Sequence, residues 1–366
     1  MAKIAVDARP LSIPTTGIGR YTRAILERMI VSEHEWYLYS HQPLLVDLQS
    51  LPNVTVRSGN VRRGSLSSFF AQAVFPFWAW RDSADLFWSP RHHLPLCLGS
   101  SVSKVLTVHD LVWQRFPETM PRLGLQLERM LMPPAVKLAD SVIAVSRSTA
   151  SELRQSFPAC AEKIVTIYEA PFLEVADTPS PLGEYFLFVG TIEPRKNLKR
   201  LLDAYSSYRK EIAGPLPLKI CGGKGWGLPE LQGKIRELGL EESIELLGYV
   251  ADDQLPKLYR EARALLIPSL YEGFGLPIVE AYSQGTPVLT ANLGAMAEVA
   301  GDAALTVNPA STTEIARALT LLTQDREKVS ELQLRALQRA EKFSWDKAAA
   351  ETLSLVESIL NRARER

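Results

Sequence analysis

The stretch from Ala264 to Ala281 constrains the fold more than any other part of the chain. Ala264-Leu265-Leu266-Ile267 is a short apolar run with the length of a strand buried on both faces. Ser269-Leu270-Tyr271-Glu272-Gly273-Phe274-Gly275 then breaks the pattern with two glycines. Leu276-Pro277-Ile278-Val279-Glu280-Ala281 starts a helix, its proline placed where a fixed φ suits the first turn. Strand, glycine loop and helix in that order build a parallel sheet, and ligands of open α/β sheets bind beyond the carboxyl ends of the strands. Glycines let backbone come close to a ligand. The amides at a helix start favour an anion such as phosphate. Glu272 before the loop and Glu280, read here in the first helical turn, bracket it. A carboxylate beside a phosphate is electrostatically costly, and an ionised carboxylate only accepts hydrogen bonds. Each is therefore expected to hold something neutral and rich in hydroxyls, such as a sugar. The plainer alternative is a capping Glu280 and a solvated Glu272.

The same unit recurs from the start of the chain. Lys3-Ile4-Ala5-Val6-Asp7 reads as a buried strand, and Gly17-Ile18-Gly19-Arg20-Tyr21 opens a helix through Ile30. A dinucleotide fingerprint is not completed there: Thr22 holds the third glycine position, and no acidic residue follows about twenty residues on. Trp36-Tyr37-Leu38-Tyr39, Val54-Thr55-Val56 and Leu86-Phe87-Trp88 read as strands. Between the last two, Leu66 to Trp80 is apolar and aromatic, and Arg57, Arg62 and Arg63 precede it. It reads as a core helix ending at Pro76, or as an interfacial contact with a membrane surface. His92 and His93, being adjacent, cannot share one face of a regular element, so they read as loop residues on the acceptor side and not as a metal pair. Lys104-Val105-Leu106-Thr107-Val108 is a strand, and His109-Asp110 follow its carboxyl end, the ligand position. Ser141-Val142-Ile143-Ala144-Val145 is a strand, with Ser146 and Ser148 as cap residues for the next helix.

From Glu169 to Glu184 prolines and small polar residues mark a linker, so the chain is expected to divide into 1–172 and 173–345, with 346–366 as a last helix. The second part opens with Tyr185-Phe186-Leu187-Phe188-Val189, a strand, then Gly190-Thr191-Ile192-Glu193-Pro194-Arg195-Lys196-Asn197. Two adjacent cations between strand and helix suit a diphosphate. Leu218-Lys219-Ile220-Cys221 leads to the glycine cluster Gly222-Gly223-Lys224-Gly225, and Ile244-Glu245-Leu246-Leu247 leads to Gly248-Tyr249-Val250. Further strands are expected at Gly285–Leu289 and Ala304–Val307, helices over 311–341, and an amphipathic helix after Phe343-Ser344-Trp345-Asp346.

Lysine plus arginine number 41 and aspartate plus glutamate 41, so no bulk basic charge points to nucleic acid. Three cysteines without metal-ligand spacing argue for a reduced, cytoplasmic compartment. No leader-like apolar segment follows Met1, and no run of 18 apolar residues exists to span a membrane.

Glu272-Gly273-Phe274-Gly275-Leu276-Pro277 followed by Glu280 resembles the E-x7-E signature of retaining GT-B glycosyltransferases of family GT4. The other motifs fall in that family's order over essentially the whole chain. The resemblance implies a GT-B fold: two Rossmann-like α/β domains facing across a cleft, with the last helix crossing back to the first. It implies that Glu272 reaches the donor sugar, that Glu280 binds the nucleotide ribose, and that His109 contacts the donor sugar. Gly17 and Gly19 would lie near the donor diphosphate and the acceptor. Gly190, Thr191, Gly222, Gly273, Phe274, Gly275 and Leu276 would border the donor, and Gly248, Tyr249 and Val250 would line the base pocket. Lys196 matches the family's diphosphate lysine. The family's arginine directly after Gly190 is replaced by Thr191, and Arg195 is the candidate substitute.

No D-x-D occurs, so no cofactor or metal is expected, and Arg195, Lys196 and loop amides would steady the leaving diphosphate. Front-face transfer with retention is implied, the leaving phosphate oxygen taking the acceptor's proton. The motif set is most similar to bacterial mannosyl- and rhamnosyltransferases of O-antigen or exopolysaccharide assembly. That implies GDP-mannose or GDP-rhamnose as donor, a polyprenyl-diphosphate-linked glycan as acceptor, and peripheral contact with the cytoplasmic face of the inner membrane. Competing expectations are another GT-B enzyme such as an epimerase or phosphorylase, a dinucleotide oxidoreductase, and an inactive sugar-nucleotide-binding protein.

Overall fold

The computed structural model describes residues 1–14, 16–48, 51–61, 64–223 and 227–365. Arg62, Arg63, Lys224 and Gly225, singled out above, lie outside the described residues. The chain divides into two units, Met1–Glu169 with Trp345–Arg366, and Ala170–Ser344.

In the first unit the described strands are β1 (Lys3–Asp7), β2 (Glu35–Ser40), β3 (Val54–Ser58), β4 (Leu86–Ser89), β5 (Ser103–Val108), β6 (Ser141–Ala144) and β7 (Ile164–Thr166). They pair in the order β3-β2-β1-β4-β5-β6-β7, all parallel. Residues of β1, β4, β5 and β6 are almost all inaccessible, because helices cover both faces, which is why these strands read as unbroken apolar runs. The sheet order reverses between β1 and β4, so the loops after those two strands open a crevice at the carboxyl edge. The edge strand β7 escaped sequence reading because three residues carry too little pattern.

The helix Gly64–Arg81 continues past Pro76, where the sequence placed its end. Proline inside a helix costs about 3 kcal/mol. Burial on both sides of it offsets that, since Ala71, Phe75 and Ala79 keep one helical face against the core. The opposite face, Leu66, Phe69, Ala73, Phe77 and Trp80, is apolar and points to solvent. Phe69 is 63% exposed, Phe77 54% and Trp80 75%, while Trp78 turns inward onto Phe75 and Tyr39. Arg57 is not available to a membrane surface: its guanidinium is engaged by the buried Asp82, which also accepts from the Tyr39 hydroxyl at 2.8 Å.

The last helix, Trp345–Arg364, packs within the first unit on the Gly17–Met29 helix. Arg28 Nε meets Asp346 Oδ1 at 2.5 Å, and the Tyr21 and Trp345 rings lie 5.9 Å apart, edge to face.

The second unit carries β8 (Tyr185–Val189), β9 (Leu218–Cys221), β10 (Ile244–Gly248), β11 (Ala262–Ile267), β12 (Val288–Ala291) and β13 (Ala304–Val307). Their order, β10-β9-β8-β11-β12-β13, is again parallel, with its reversal between β8 and β11. The stretch read as a linker is bound along this unit. Ala176 N–H donates to Ser283 O at 2.7 Å, Ser180 Oγ to Gly285 O at 2.8 Å, and Gln333 Nε2 to Ser180 O at 2.8 Å.

Candidate active site

Polar side chains gather at the carboxyl edge of each sheet, and each group lies within its own unit. In the second unit the loop after β8 makes a short helical turn, Pro194–Lys196, whose last residue gives way to Asn197 at φ 63°. Asparagine tolerates that left-handed conformation, and its side chain donates to Pro268 O at 2.9 Å and Pro309 O at 2.7 Å. The turn is thereby tied to the segment leaving β11. Leu270 N–H adds a bond to Arg195 O at 2.8 Å.

These ties bring the two cations onto one carboxylate. Lys196 Nζ stands 2.5 Å from Glu272 Oε1, and Arg195 Nη1 stands 2.7 Å from Glu272 Oε2. Ser269 Oγ donates to Glu272 Oε1 at 2.8 Å, Arg195 Nη1 also reaches Tyr271 O at 3.0 Å, and Arg195 Nη2 pairs with Glu193 Oε1 at 2.6 Å. Burial alone would raise the Glu272 pKa, but Lys196 and Arg195 outweigh it and hold the carboxyl at about 2. Glu272 is thus an anion fixed between the two cations that the sequence assigned to a diphosphate. Within the protein its partners are these two cations and the Ser269 hydroxyl.

Glu280 opens the second turn of the Leu276–Ser283 helix, not the first, and is buried, accepting from the Tyr259 hydroxyl at 3.0 Å. Gly275 caps that helix at φ 107°, a conformation that a side chain disfavours. Gly222 passes so near the loop after β8 that an added Cβ would lie 1.9 Å from Gly190 O, so only glycine fits. Gly190 and Gly222 directly follow β8 and β9, and Gly248 is the last residue of β10. Thr191 and Tyr249 are exposed and Val250 half-buried, while Phe274 is buried against Phe343. Leu276 and Gly273 are half-buried in the loop above β11.

In the first unit Thr16 caps the Gly17–Met29 helix, its hydroxyl accepting from Gly19 N–H at 3.0 Å. His109 follows β5, as expected. Its Nδ1 lies 2.8 Å from Glu169 Oε1 and its Nε2 2.9 Å from Pro90 O, with the Tyr21 ring edge-on at 4.8 Å. Both ring nitrogens therefore face oxygens of the first unit. Its backbone N–H donates to His92 Nε2 at 3.0 Å. His92 and His93 share Glu128, at 3.3 and 3.2 Å, because the loop lets adjacent rings turn to one carboxylate. Burial opposes the charged form of His92, yet Glu128 prevails and its pKa is raised; at His93 burial prevails and its pKa is lowered.

Sequence reading missed Glu169, Tyr259, Ser269 and Glu193 as partners. Glu169 falls at the start of the proline-rich stretch that reads as a linker, and a Tyr or Ser carries no pattern of its own.

Residues 15–170 match the family description "Glycosyltransferase Family 4" and residues 178–342 match "Glycosyl transferases group 1". The chain is 31% identical to the O-antigen chain mannosyltransferase B of Escherichia coli, over 96% of this chain and 98% of that one. Among solved structures, the sucrose-phosphate synthase of Thermosynechococcus elongatus superposes with a TM-score of 0.80 at 18% identity, covering 99% of this chain and 100% of the other. HepE of Anabaena, solved with UDP and glucose, superposes with a TM-score of 0.73 at 20% identity, covering 98% and 100%. These likenesses show the GT-B fold.

Proposed function

This chain belongs to glycosyltransferase family 4 and is a glycosyltransferase, and from that premise we propose that it moves mannose, or the related rhamnose, from a GDP-linked donor to a hydroxyl of a growing O-antigen glycan. The observation that carries the reading is the meeting of Arg195, Lys196 and Glu272 at the reversal of the second sheet. Two cations there suit a diphosphate, and an ionised carboxylate beside them suits sugar hydroxyls. The mannose assignment leans on the relative from Escherichia coli.

In the reaction the bond between sugar and diphosphate breaks, and the acceptor hydroxyl bonds to the same face of the sugar. Its proton passes to the leaving phosphate oxygen. Lys196 and Arg195 steady the charge growing on that diphosphate, without a metal. Glu280 and the segment Gly248-Tyr249-Val250 serve the nucleoside, and Gly17, Gly19 and His109 serve the reacting end. The acceptor is a glycan on a polyprenyl diphosphate.

Melting curves with GDP, UDP, ADP and dTDP test the donor, since a nucleotide that binds only the folded chain raises its melting temperature. GDP should give the largest rise. Transfer should persist in excess EDTA, and the product's anomeric coupling should match the donor's. A larger shift with UDP would overturn the donor, and activity that needs added Mg²⁺ or Mn²⁺ would overturn the metal-free clamp.

Such an acceptor brings the enzyme to the cytoplasmic face of the inner membrane. Among the described residues no helix is long and apolar enough to cross it. The outward stripe of the Gly64–Arg81 helix suits peripheral contact, presenting Phe69, Phe77 and Trp80 with Arg81 at its end. Changing Phe77 and Trp80 to Ser should weaken co-sedimentation with anionic vesicles severalfold and leave circular dichroism native, because neither ring is in the core. Equal sedimentation of both proteins would remove the stripe from the membrane.

A further inference from the structure

We infer that Glu169 is a positioning residue for transfer: it holds His109 as a doubly protonated imidazolium, so that His109 serves the reaction as a fixed positive charge and not as a base. Two hydrogen bonds made by one ring carry this. Nε2 lies 2.9 Å from Pro90 O, and a carbonyl oxygen only accepts, so Nε2 bears a proton. Nδ1 lies 2.8 Å from Glu169 Oε1, and an ionised carboxylate also only accepts, so Nδ1 bears the second. A neutral ring has a single N–H for these two oxygens. Its bare nitrogen would press a lone pair against Pro90 O or against Glu169. Water gives little relief, since the His109 side chain is 12% exposed and that of Glu169 5%. Burial makes either charge costly alone, and the contact between them supplies each with its counter-ion.

Three loops at the carboxyl edge of the first sheet fix the ring. Pro90 follows β4, His109 follows β5, and Glu169 lies just past β7. The backbone N–H of His109 donates to His92 Nε2 at 3.0 Å. Tyr21, from the Gly17–Met29 helix, lies edge-on at 4.8 Å, with its hydroxyl 3.4 Å from Thr107 Oγ1. Ligands of open α/β sheets meet this edge, and a fixed cation there favours negative charge as it develops.

With both nitrogens taken, the ring has no lone pair for the acceptor's proton. In transfer the acceptor oxygen bonds to the sugar carbon, the bond from that carbon to the phosphate oxygen breaks, and the proton goes to that phosphate oxygen. Glu169 acts on this step through His109. The inference deepens the proposed function and rests on it for the place of His109 at the reacting end. The state of the ring stands without it.

Nitrogen NMR of the full chain labelled at histidine reads the pair without any assay of transfer. The chain has five histidines, and His109→Asn identifies the signals of this one. At neutral pH both ring nitrogens of His109 should bear protons. In Glu169→Gln only one should, because a glutamine amide can itself donate to Nδ1. Kinetics give the second readout. Glu169→Gln should lower kcat about tenfold and leave KM for the donor within about twofold, as when a charge is lost at a distance from the reacting atoms. The titratable and charged groups around the ring are Glu169, Tyr21, Asp110, and His92 with Glu128 and Arg91 beyond it. Of these only Glu169 changes in the variant. The alkaline fall of its turnover should therefore begin about one pH unit lower than in the wild type, the imidazolium having lost its counter-ion. Should Glu169→Gln fail to fold, Glu169→Asp keeps the charge at longer reach and should show the same changes in smaller measure. A wild-type His109 ring with one proton overturns the proposal, and so does a Glu169→Gln chain with the wild-type kcat and pH profile. Failure of the donor reading shows separately, as a wild type that transfers no sugar from a GDP-linked donor, and the ring spectra do not depend on it.

Discussion

Replacing Lys196 by alanine should slow sugar transfer about a hundredfold and leave the chain folded. The ammonium sits in a fixed turn, buried, 2.5 Å from Glu272. During transfer, negative charge grows on the leaving diphosphate, and a preorganised cation there contributes about 3 kcal/mol to the transition state, which is that hundredfold. The folding cost is smaller, because Glu272 keeps Arg195 at 2.7 Å and Ser269 at 2.8 Å after the lysine is gone. Losing one charged hydrogen bond of several costs on the order of 2 kcal/mol. For a unit of this size that lowers the melting temperature by roughly 4–8 °C. The check is the rate constant at saturating donor, alongside a melting curve. An unchanged rate constant would take Lys196 out of the site, and a collapse of the fold would make the residue structural.

Much of this architecture was legible because it repeats. Strands covered on both faces read as apolar runs, and each is followed by glycine or a cap residue where its helix begins. The pivotal loop was found for that reason, with both of its glutamates. What could not be read is which loops meet. Lys196 and Glu272 are 76 residues apart, and His109 and Glu169 are 60 apart, so sequence gave the groups and not the pairing. Local pattern also misjudged Pro76, because propensity counts the lost hydrogen bond and not the burial of Phe75 and Ala79 beyond it. The choice between core helix and surface contact for Leu66 to Trp80 had no single answer, since one helix serves core and solvent with two apolar faces. Asn197 carries no signal of its own in the sequence, yet it turns the chain at φ 63°. Its left-handed backbone explains why glycine or asparagine suits the position after the lysine.

Glu272→Gln should separate binding from transfer more sharply than any other change. Its carboxyl is held at about 2, against an ordinary 4.5, by the two cations. A lowered pKa in the fold means that the carboxylate stabilises the protein above about pH 4.5 and that this contribution is lost as pH falls through about 2. The shift corresponds to on the order of 3 kcal/mol. The variant should therefore be less stable than wild type by about that amount at neutral pH, and the two should converge toward pH 2, as read by urea unfolding across pH. The amide leaves Arg195 and Lys196 without the anion they now share, although Arg195 keeps Glu193 at 2.6 Å. A nucleoside diphosphate would meet less competition for those cations. GDP should bind the variant about tenfold more tightly, a gain of about 1.4 kcal/mol, and restore part of the lost stability. Transfer should fall in spite of the tighter binding, by a hundredfold or so, because the charged acceptor for the sugar's hydroxyls is gone. Weaker GDP binding in the variant would show that Glu272 orients the cations toward the diphosphate and does not compete with it. Transfer at the wild-type rate would remove the carboxylate from the reaction.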